Sequence, residues 1–385
     1  MRSELAEVGY DDGSTEVYHL LAGYRRPGSG RPAWGSVTIE GLGDVDLFDP
    51  TADADTAASL VNALATRPPA GMRWLDRGWF DPHASVQLFR GEQSNTSLLI
   101  GSAAMLKVFR RLEPGPNLDA EALAGLNGSD LAPRLFGTLS HDGTDLAMFC
   151  ELIDTDGDGW ELATAACAAG QDFTGPAARL GRTLRALHAR LAEHDGTSER
   201  PGAEIAAELG SRIEAALADV PALAGYADAL RAAMAELDGL SVTCQRIHRD
   251  FHLGQVLHRE DDQWVIIDFE GEPLTTADER RRPDSRWRDV AGGLRSFDYA
   301  RSAHPEPASP SARHWCVQAR DAFLRAYAEG EQIPTALLRA YQLDKAVYEV
   351  RYELRNRPEW AHIPLGSVQD ELTEFPNEPR QRGKE

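Results

Sequence analysis

The chain has 385 residues, enough for more than one domain and a sizeable core, and its 61 acidic against 40 basic residues give a net charge of −21, which argues against nucleic acid as a partner and leaves small molecules. No apolar run is long enough to span a membrane, and the start, Met1-Arg2-Ser3-Glu4, leads into a polar strand pattern rather than a secretory signal. The four cysteines, Cys150, Cys167, Cys244 and Cys316, are scattered without a C-x-x-C, so neither a disulfide framework nor a zinc site is implied and a cytoplasmic protein is expected.

Residues 10–23 alternate around D-D-G-S, a hairpin turn between two strands, and 34–48 offer a second strand pair broken at Gly41-Leu42-Gly43. Residues 44–55 hold five Asp and no base; without ligands at fixed spacing they read as a solvated loop. A short amphipathic helix is expected over 56–66, stopped by Pro68-Pro69. Residues 91–99 are a polar turn running into a strand. There Ser94, Asn95, Thr96 and Ser97, with the backbone N–H groups, can cap phosphate oxygens; a plain β-turn is the other reading. Residues 105–109 form an apolar strand carrying Lys107, which needs a partner in such surroundings, while Arg110 and Arg111 next to it read as solvated. Residues 145–153 form a mostly apolar strand ending at Glu151-Leu152-Ile153, and the Gly-rich stretch 156–160 marks a domain boundary. Helices dominate beyond it: 160–169, 175–193 with Leu180, Leu184, Leu187 and Leu191 at helical spacing, and 202–237, interrupted by Pro221. His188 falls on an apolar helix side, where a packed core histidine is expected.

The most informative stretch is 245–273, Q-R-I-H-R-D-F-H-L-G-Q-V-L-H, then R-E-D-D-Q, then W-V-I-I-D-F-E-G-E-P. Val256-Leu257 and Val265-Ile266-Ile267 make a hairpin around the acidic turn Glu260-Asp261-Asp262. Asp268 ends the second strand, and Asp250 lies on the loop entering the first, five residues before Gln255. Two carboxylates and an amide oxygen therefore converge at one end of a small sheet. Phosphoryl transfer from ATP needs that set: one Asp takes or orients the acceptor proton, and a second Asp with a neutral oxygen ligand holds magnesium on the phosphates. The spacing matches H-R-D-x-x-x-x-N followed by D-F-G, with Gln255 where Asn is usual and Asp268-Phe269-Glu270 as the second motif. An ordinary hairpin would not need Asp250 and Asp268 among apolar residues, where an unpaired carboxylate is costly.

Residues 275–289 carry five arginines among acids and are expected to be mobile. A helix follows over 289–300, on which Arg295 or Asp298 reaches an acceptor or forms a salt bridge. Residues 304–311 are a Pro/Ser-rich loop; 316–329 and 335–356 are helices; 376–385 are a polar tail. On the last long helix Tyr348/Tyr352 and Glu349/Glu353 are pairs four apart, each sharing a face. Such a face is either a sugar floor or a packed surface whose glutamates pair with Arg351, Arg355 or Arg357.

H-x-D-x-H-x-G-Q-V-L at 248–257, D-F-E-G-E-P at 268–273 and R-D-V-A-G-x-L-R-S-F-D-Y at 288–299 resemble the actinobacterial maltokinases and their glucosamine-kinase relatives, within the aminoglycoside-phosphotransferase-like kinases. The resemblance covers about 91–365. It implies an α+β, bilobal, eukaryotic-kinase-like fold: an N-terminal cap over 1–88, a β-rich N-lobe over 89–154 and a helical C-lobe over 155–385. It implies ATP- and Mg2+-dependent phosphorylation of a small sugar. Asp250 would be the catalytic base, and Gln255 and Asp268 the magnesium ligands. Lys107, paired with Glu121, would hold phosphates that Ser94, Asn95, Thr96 and Ser97 cover, and the Glu151–Ile153 backbone would read adenine. The acceptor side would draw on Arg249, His252, Glu270, Trp287, Asp298, Tyr348, Glu349, Tyr352 and Glu353. The chain departs from the maltokinases in lacking their opening R-W-F/Y-x-G-K segment, and in Leu118, Arg249 and Arg286-Trp287, where they carry Pro, Gly and a Pro-Leu-like pair. A short cap, with Arg249 and Trp287 as added bulk, favours glucosamine over maltose. Phosphorylation of maltose at its anomeric hydroxyl, an aminoglycoside phosphotransferase and a catalytically silent regulatory module are the alternatives. Oligomeric state is left open, with a monomer allowed.

Overall fold

β-Strands prevail before Asp154 and helices after it. The computed structural model describes residues 1–28, 32–90, 95–272 and 275–373 and divides into two units, Met1–Asp154 and Thr155–Glu385. Ser94, expected to cover phosphates, and the tail at 376–385 lie outside the described residues.

The first unit opens with β1 (Arg2–Gly9) and β2 (Thr15–Arg25), joined by the D-D-G-S turn, then β3 (Gly35–Ile39) and β4 (Gly43–Phe48). Helix α1 (Ala54–Thr66) begins where the Asp53 side chain accepts the Thr56 N–H (3.1 Å), a helix N-cap. After it come β5 (Met72–Trp74), β6 (Val86–Leu88), β7 (Thr96–Ile100), β8 (Ala104–Val108), β9 (Arg111–Leu112), α2 (Leu118–Leu126), β10 (Leu135–His141) and β11 (Thr144–Glu151). One sheet runs β1-β2-β4-β3, with β9 also on β2; the other runs β5-β10-β11-β8-β7-β6. Residues before 89 thus contribute β5 and β6 to the sheet that carries Lys107. The apolar face of α1 (Ala57, Leu60, Val61) packs with Leu98, Leu106, Phe136 and Phe149 into one core. Arg110 is not solvated: it donates to Asp49 (2.8 Å) and Thr96 Oγ1 (2.8 Å), tying the acidic 44–55 segment to β7.

The second unit contains β12 (Gly157–Asp158), α3 (Gly159–Ala168), α4 (Thr174–Asp195), β13 (Thr197–Pro201), α5 (Gly202–Asp219), α6 (Ala227–Ala235) and β14 (Ser241–Gln245). It continues with β15 (Val256–His258), β16 (Trp264–Ile266), α7 (Ala277–Arg281), α8 (Trp287–Arg301), α9 (Pro310–Ala328), α10 (Thr335–Asn356) and α11 (His362–Thr373). The four leucines of α4 are all buried, as their spacing predicts, and the break at Pro221 is a 3-10 turn between α5 and α6. β15 and β16 form the expected hairpin, with β12 added on β15. The 275–289 segment is more ordered than its charge suggested. Thr276 and Glu279 close a capping box on α7, and buried Asp284 exchanges backbone hydrogen bonds with Gln245 (2.9 Å each way). Among the described residues no helix is long and apolar enough to cross a membrane.

Candidate active site

In the first unit, Lys107 points from β8 and forms an ion pair with Asp119 (2.7 Å), two residues before the expected Glu121. Both acids stand in the first turn of α2, where residues two apart point about 200° from each other, and it is Asp119 that meets the lysine. Asp119 is the buried one, at 1% exposure. Ser97 stands opposite Lys107 in the β7–β8 register and shares its face; Asn95 precedes β7, and the Thr96 hydroxyl is taken by Arg110. The Glu151 N–H donates to Arg134 O (2.9 Å), and its carboxylate is bound by the Arg134 side chain, so that N–H does not serve the expected adenine contact. Ile153 is buried one residue before the end of the unit.

In the second unit the 246–255 loop is held from both sides. Helix α8 presses on it at Gly292, where a Cβ would sit 2.5 Å from Phe251 O, so only glycine lets the backbones meet. Phe251 is itself buried against Phe323. The His248 Nε2–H donates to Ile267 O (2.9 Å), which leaves Nδ1 to accept the Asp250 N–H (3.3 Å) and fixes the tautomer. Asp289, at the head of α8, accepts the N–H groups of His248 (2.7 Å) and Arg249 (2.9 Å). Arg249 (φ 70°), next to Asp250, and Asp268 (φ 66°) both adopt left-handed backbone. Gln255 Nε2 donates to Asp268 Oδ2 (3.2 Å). A half-turn of that amide would put a neutral oxygen beside a carboxylate. Such a hard-oxygen pair fits Mg2+, whose remaining ligands in nucleotide enzymes are phosphates and water.

Asp250 opens onto a cleft of about 560 Å³ formed within this unit. Its wall on α10 is Lys345, Tyr348, Glu349, Tyr352 and Glu353, with Tyr299 of α8, Trp160, Arg357 and Trp360 around it. His252 also lines it; burial lowers the His252 pKa, so the imidazole is neutral, and Nδ1 accepts the Gly254 N–H (3.1 Å). Lys345 Nζ reaches Asp250 Oδ1 (3.2 Å) and Glu272 Oε1 (2.8 Å). Burial alone would raise the Glu272 pKa, but Lys345 and Arg288 (3.0 Å) outweigh it and hold the carboxyl at about 2. The same neighbours, Glu272 and Asp250, outweigh burial at Lys345 and push its pKa above the ordinary lysine value. Four carboxylates line the cleft (Asp250, Glu272, Glu349, Glu353) against two cations (Lys345, Arg357), a net charge of −2 that suits a cationic acceptor.

Four expected acceptor residues are elsewhere. The left-handed backbone of Arg249 turns its side chain away, to donate to Arg282 O and approach Asp284 (3.8 Å). Trp287 is buried against Tyr327 (5.3 Å), because the first turn of α8 faces the core. Asp298 is buried between Arg295 (2.7 Å) and Arg320 (2.6 Å), beside a different cavity. Glu270 accepts at its carbonyl from Arg280 (2.8 Å); Glu272, two residues on, is the acid of that motif that lines the cleft. Tyr348, Glu349, Tyr352 and Glu353 line it together. Lys345 and Asp289 were missed. The available signal for Lys345 was its place four residues before Glu349 on a mostly buried helix.

The geometry can be set beside known proteins. A model of the phosphotransferase enzyme family (APH) matches residues 85–343. The chain is 30% identical over 361 residues to a glucosamine kinase of Streptacidiphilus jiangxiensis, covering 83% of this chain and 81% of that one. It is 28% identical over 325 residues to a glucosamine kinase of Mycolicibacterium smegmatis, covering 73% and 79%. A solved glucosamine kinase in complex with glucosamine, ADP and inorganic phosphate superposes with a TM-score of 0.72 at 26% identity, covering 96% of this chain and 90% of that one. The α+β kinase-like fold is therefore shared, and the chain belongs to the phosphotransferase enzyme family.

Proposed function

We propose that the chain is an ATP- and Mg2+-dependent sugar kinase that phosphorylates glucosamine on its primary hydroxyl. Asp250 accepts or orients the proton of the attacking hydroxyl. Lys107, fixed by Asp119, bears on the nucleotide phosphates. Gln255 and Asp268 would hold Mg2+, which supplies charge neutralisation at the transferring phosphoryl group. In this reading 1–88 act as a cap, 89–154 as the nucleotide lobe and 155–385 as the acceptor lobe. A cytoplasmic location goes with ATP as donor and with four buried, unpaired cysteines.

The choice of sugar rests on one observation, the state of three acids. Asp298 is consumed by two arginines. Glu353 is held at both oxygens by Arg357 (2.7 and 2.9 Å) and also accepts from Tyr299 (3.2 Å). Glu349 is bound by Arg295 through Oε2 alone (2.6 and 3.1 Å), and among the described residues its Oε1 has no partner. A carboxylate with one anchored and one available oxygen in a buried wall is a seat for the 2-ammonium group, and the relatives' names point the same way. The test is a side-by-side rate measurement with glucosamine, glucose, N-acetylglucosamine and maltose at fixed ATP, with and without magnesium. Glucosamine should exceed glucose by roughly 10–100-fold in kcat/KM, and maltose as best acceptor would refute the assignment. One observation favours a second reading. The cleft is roomier than a hexosamine requires and carries net negative charge, so an aminoglycoside belongs in the same panel.

A further inference from the structure

Helix α10 carries its cleft-facing charges in an ordered series: Lys345, Glu349 and Glu353, each four residues after the last and so about 6 Å further along the axis. The series has a direction. Its cation lies against the catalytic carboxylate, 3.2 Å from Asp250 Oδ1, and is pinned there by Glu272 at 2.8 Å and by the Tyr348 ring, whose centroid is 5.5 Å from Nζ. Its first acid, Glu349, is anchored one turn away by buried Arg295, which is itself fixed on the far side by Asp298 (2.7 Å). That separation is comparable with the width of a pyranose ring.

An amino sugar entering this cleft meets two carboxylate sites that could each take its ammonium group, Glu349 at one end and the Asp250–Glu272 pair at the other. Seated on Glu349, the ammonium leaves the opposite edge of the ring, with its hydroxyl, toward Asp250. Seated on Asp250 and Glu272, it would put nitrogen where the reacting oxygen belongs and block turnover. The acidic residues alone do not separate these poses, since Asp250 and Glu272 together outbid a single Glu349 for a cation. Lys345 does separate them: together with Arg288, which holds Glu272 from its other oxygen (3.0 Å), it offsets the charge of that pair, and it alone stands against Asp250, where it repels a second cation.

We infer that Lys345 is a specificity-determining residue: it reserves the Asp250 end of the cleft for a hydroxyl and directs an acceptor's ammonium to Glu349. The inference rests on the amino-sugar reading above and adds the orientation rule to it. Holding the Asp250 carboxylate still would be a simpler role, and the two differ in what they predict for charged and neutral sugars.

Two measurements test this. The first uses 6-amino-6-deoxyglucose, which carries its ammonium at the reacting end, on the unaltered enzyme and on Glu349→Gln, in which the reversed pose with that ammonium on residue 349 is removed. In Glu349→Gln it should inhibit glucose phosphorylation poorly, with an inhibition constant at least about 10-fold above the KM for glucose. The second compares Lys345→Met and Lys345→Arg with glucosamine and glucose. In Lys345→Met, kcat and KM for glucosamine should fall together, as for a substrate that binds mostly in the wrong direction, and the glucosamine-to-glucose kcat ratio should drop about 10-fold. Lys345→Arg should restore the ratio. Inhibition by 6-amino-6-deoxyglucose that stays tight in Glu349→Gln overturns the inference even if Lys345→Met does not fold. So does an equal fall of both sugars' kcat in Lys345→Met, which would reduce Lys345 to a support for Asp250. If the unaltered enzyme does not phosphorylate glucosamine at all, the amino-sugar reading fails and takes the orientation rule with it.

Discussion

Asp289 accepts the main-chain N–H groups of two consecutive residues, His248 on Oδ2 (2.7 Å) and Arg249 on Oδ1 (2.9 Å), directly ahead of Asp250. Its Oδ2 also meets His188 Nε2 (2.9 Å), and the side chain is buried. Burial would raise its pKa, but the hydrogen bonds from the His188 ring and the His248 main-chain N–H keep it below the usual carboxylate range. One acid at the head of α8 therefore sets the path of the 246–255 loop and supports the left-handed Arg249 backbone.

Asp289→Asn should accordingly lower both stability and turnover. The amide must turn an NH2 toward one of three donors, and a lost charge-assisted hydrogen bond in a buried site costs about 1.5–3 kcal/mol. A denaturant midpoint and kcat measured on the same preparation check this; a variant of unchanged stability would show that the loop is held by other contacts.

Asp250→Asn should separate the two effects. Asp250 borders the cleft, its amide isostere fits the same space and Lys345 keeps Glu272 as a counter-charge (2.8 Å), so stability should fall less than kcat and ATP binding should stay near the original, while kcat falls about 10²–10⁴-fold, the usual worth of a general base. Calorimetric ATP binding beside a turnover assay decides it.

These two aspartates also show which parts of the site could be read from the chain. Gln255 and Asp268, 13 residues apart, stand at the two ends of a hairpin written in a local strand-turn-strand pattern, so their contact follows from sequence alone. The Leu positions of α4 and the break at Pro221 were legible for the same local reason. What failed was side-chain direction. Whether Asp119 or Glu121 meets Lys107 depends on how α2 is rotated, and whether Trp287 or Tyr348 faces the cleft depends on how α8 and α10 pack. Lys345 lies 95 residues from Asp250, with no spacing rule to connect them. Arg249 misled for a different reason: a positive φ at a non-glycine residue reverses the side chain, and nothing in H-R-D announces it.

Arg249→Gly follows from that correction. The φ of 70° is one that glycine adopts freely, which offsets part of the loss of the contacts to Arg282 O and Asp284. Because the side chain points away from the cleft, KM values for glucosamine and glucose should change by less than about threefold, roughly 0.6 kcal/mol. A large change in sugar preference would return Arg249 to the acceptor side.

If Glu349 seats the ammonium as proposed, the acceptor site acquires a pH dependence. Burial raises its pKa above the ordinary carboxylate value, with Arg295 opposing. A raised carboxyl pKa means that the anion is lost at a higher pH than for a free glutamate. The KM for glucosamine should therefore rise as the pH falls through that range, while the KM for glucose, which needs no anion there, should stay flatter. In Glu349→Gln the glucosamine KM should rise about 10-fold or more, the lower end of a charge-assisted contact, and should lose this pH dependence. Parallel pH profiles for the two sugars would remove Glu349 from ammonium recognition.

Glu272 makes a prediction about stability instead of rate. Its pKa is about 2 in the folded protein, where Lys345 and Arg288 outweigh burial, against 4.5 for a free glutamate. The folded state thus binds this proton less readily than the unfolded chain. Its contribution to stability is fully present above about pH 4.5 and is lost as the pH falls toward 2, and a shift of that size is worth about 3 kcal/mol. Glu272→Gln should remove that component and also leave the mostly buried Lys345 and Arg288 short of a counter-charge, an additional penalty of a few kcal/mol, about 3–5 where a buried pair is broken. Thermal midpoints of the two proteins should differ most at neutral pH and draw together on acidification between pH 4.5 and 2, because only the unaltered chain loses the Glu272 term there. A gap that stayed constant across that interval would mean that Glu272 titrates alike in the folded and unfolded states, and the Lys345–Glu272–Arg288 bridge would then contribute nothing of its own.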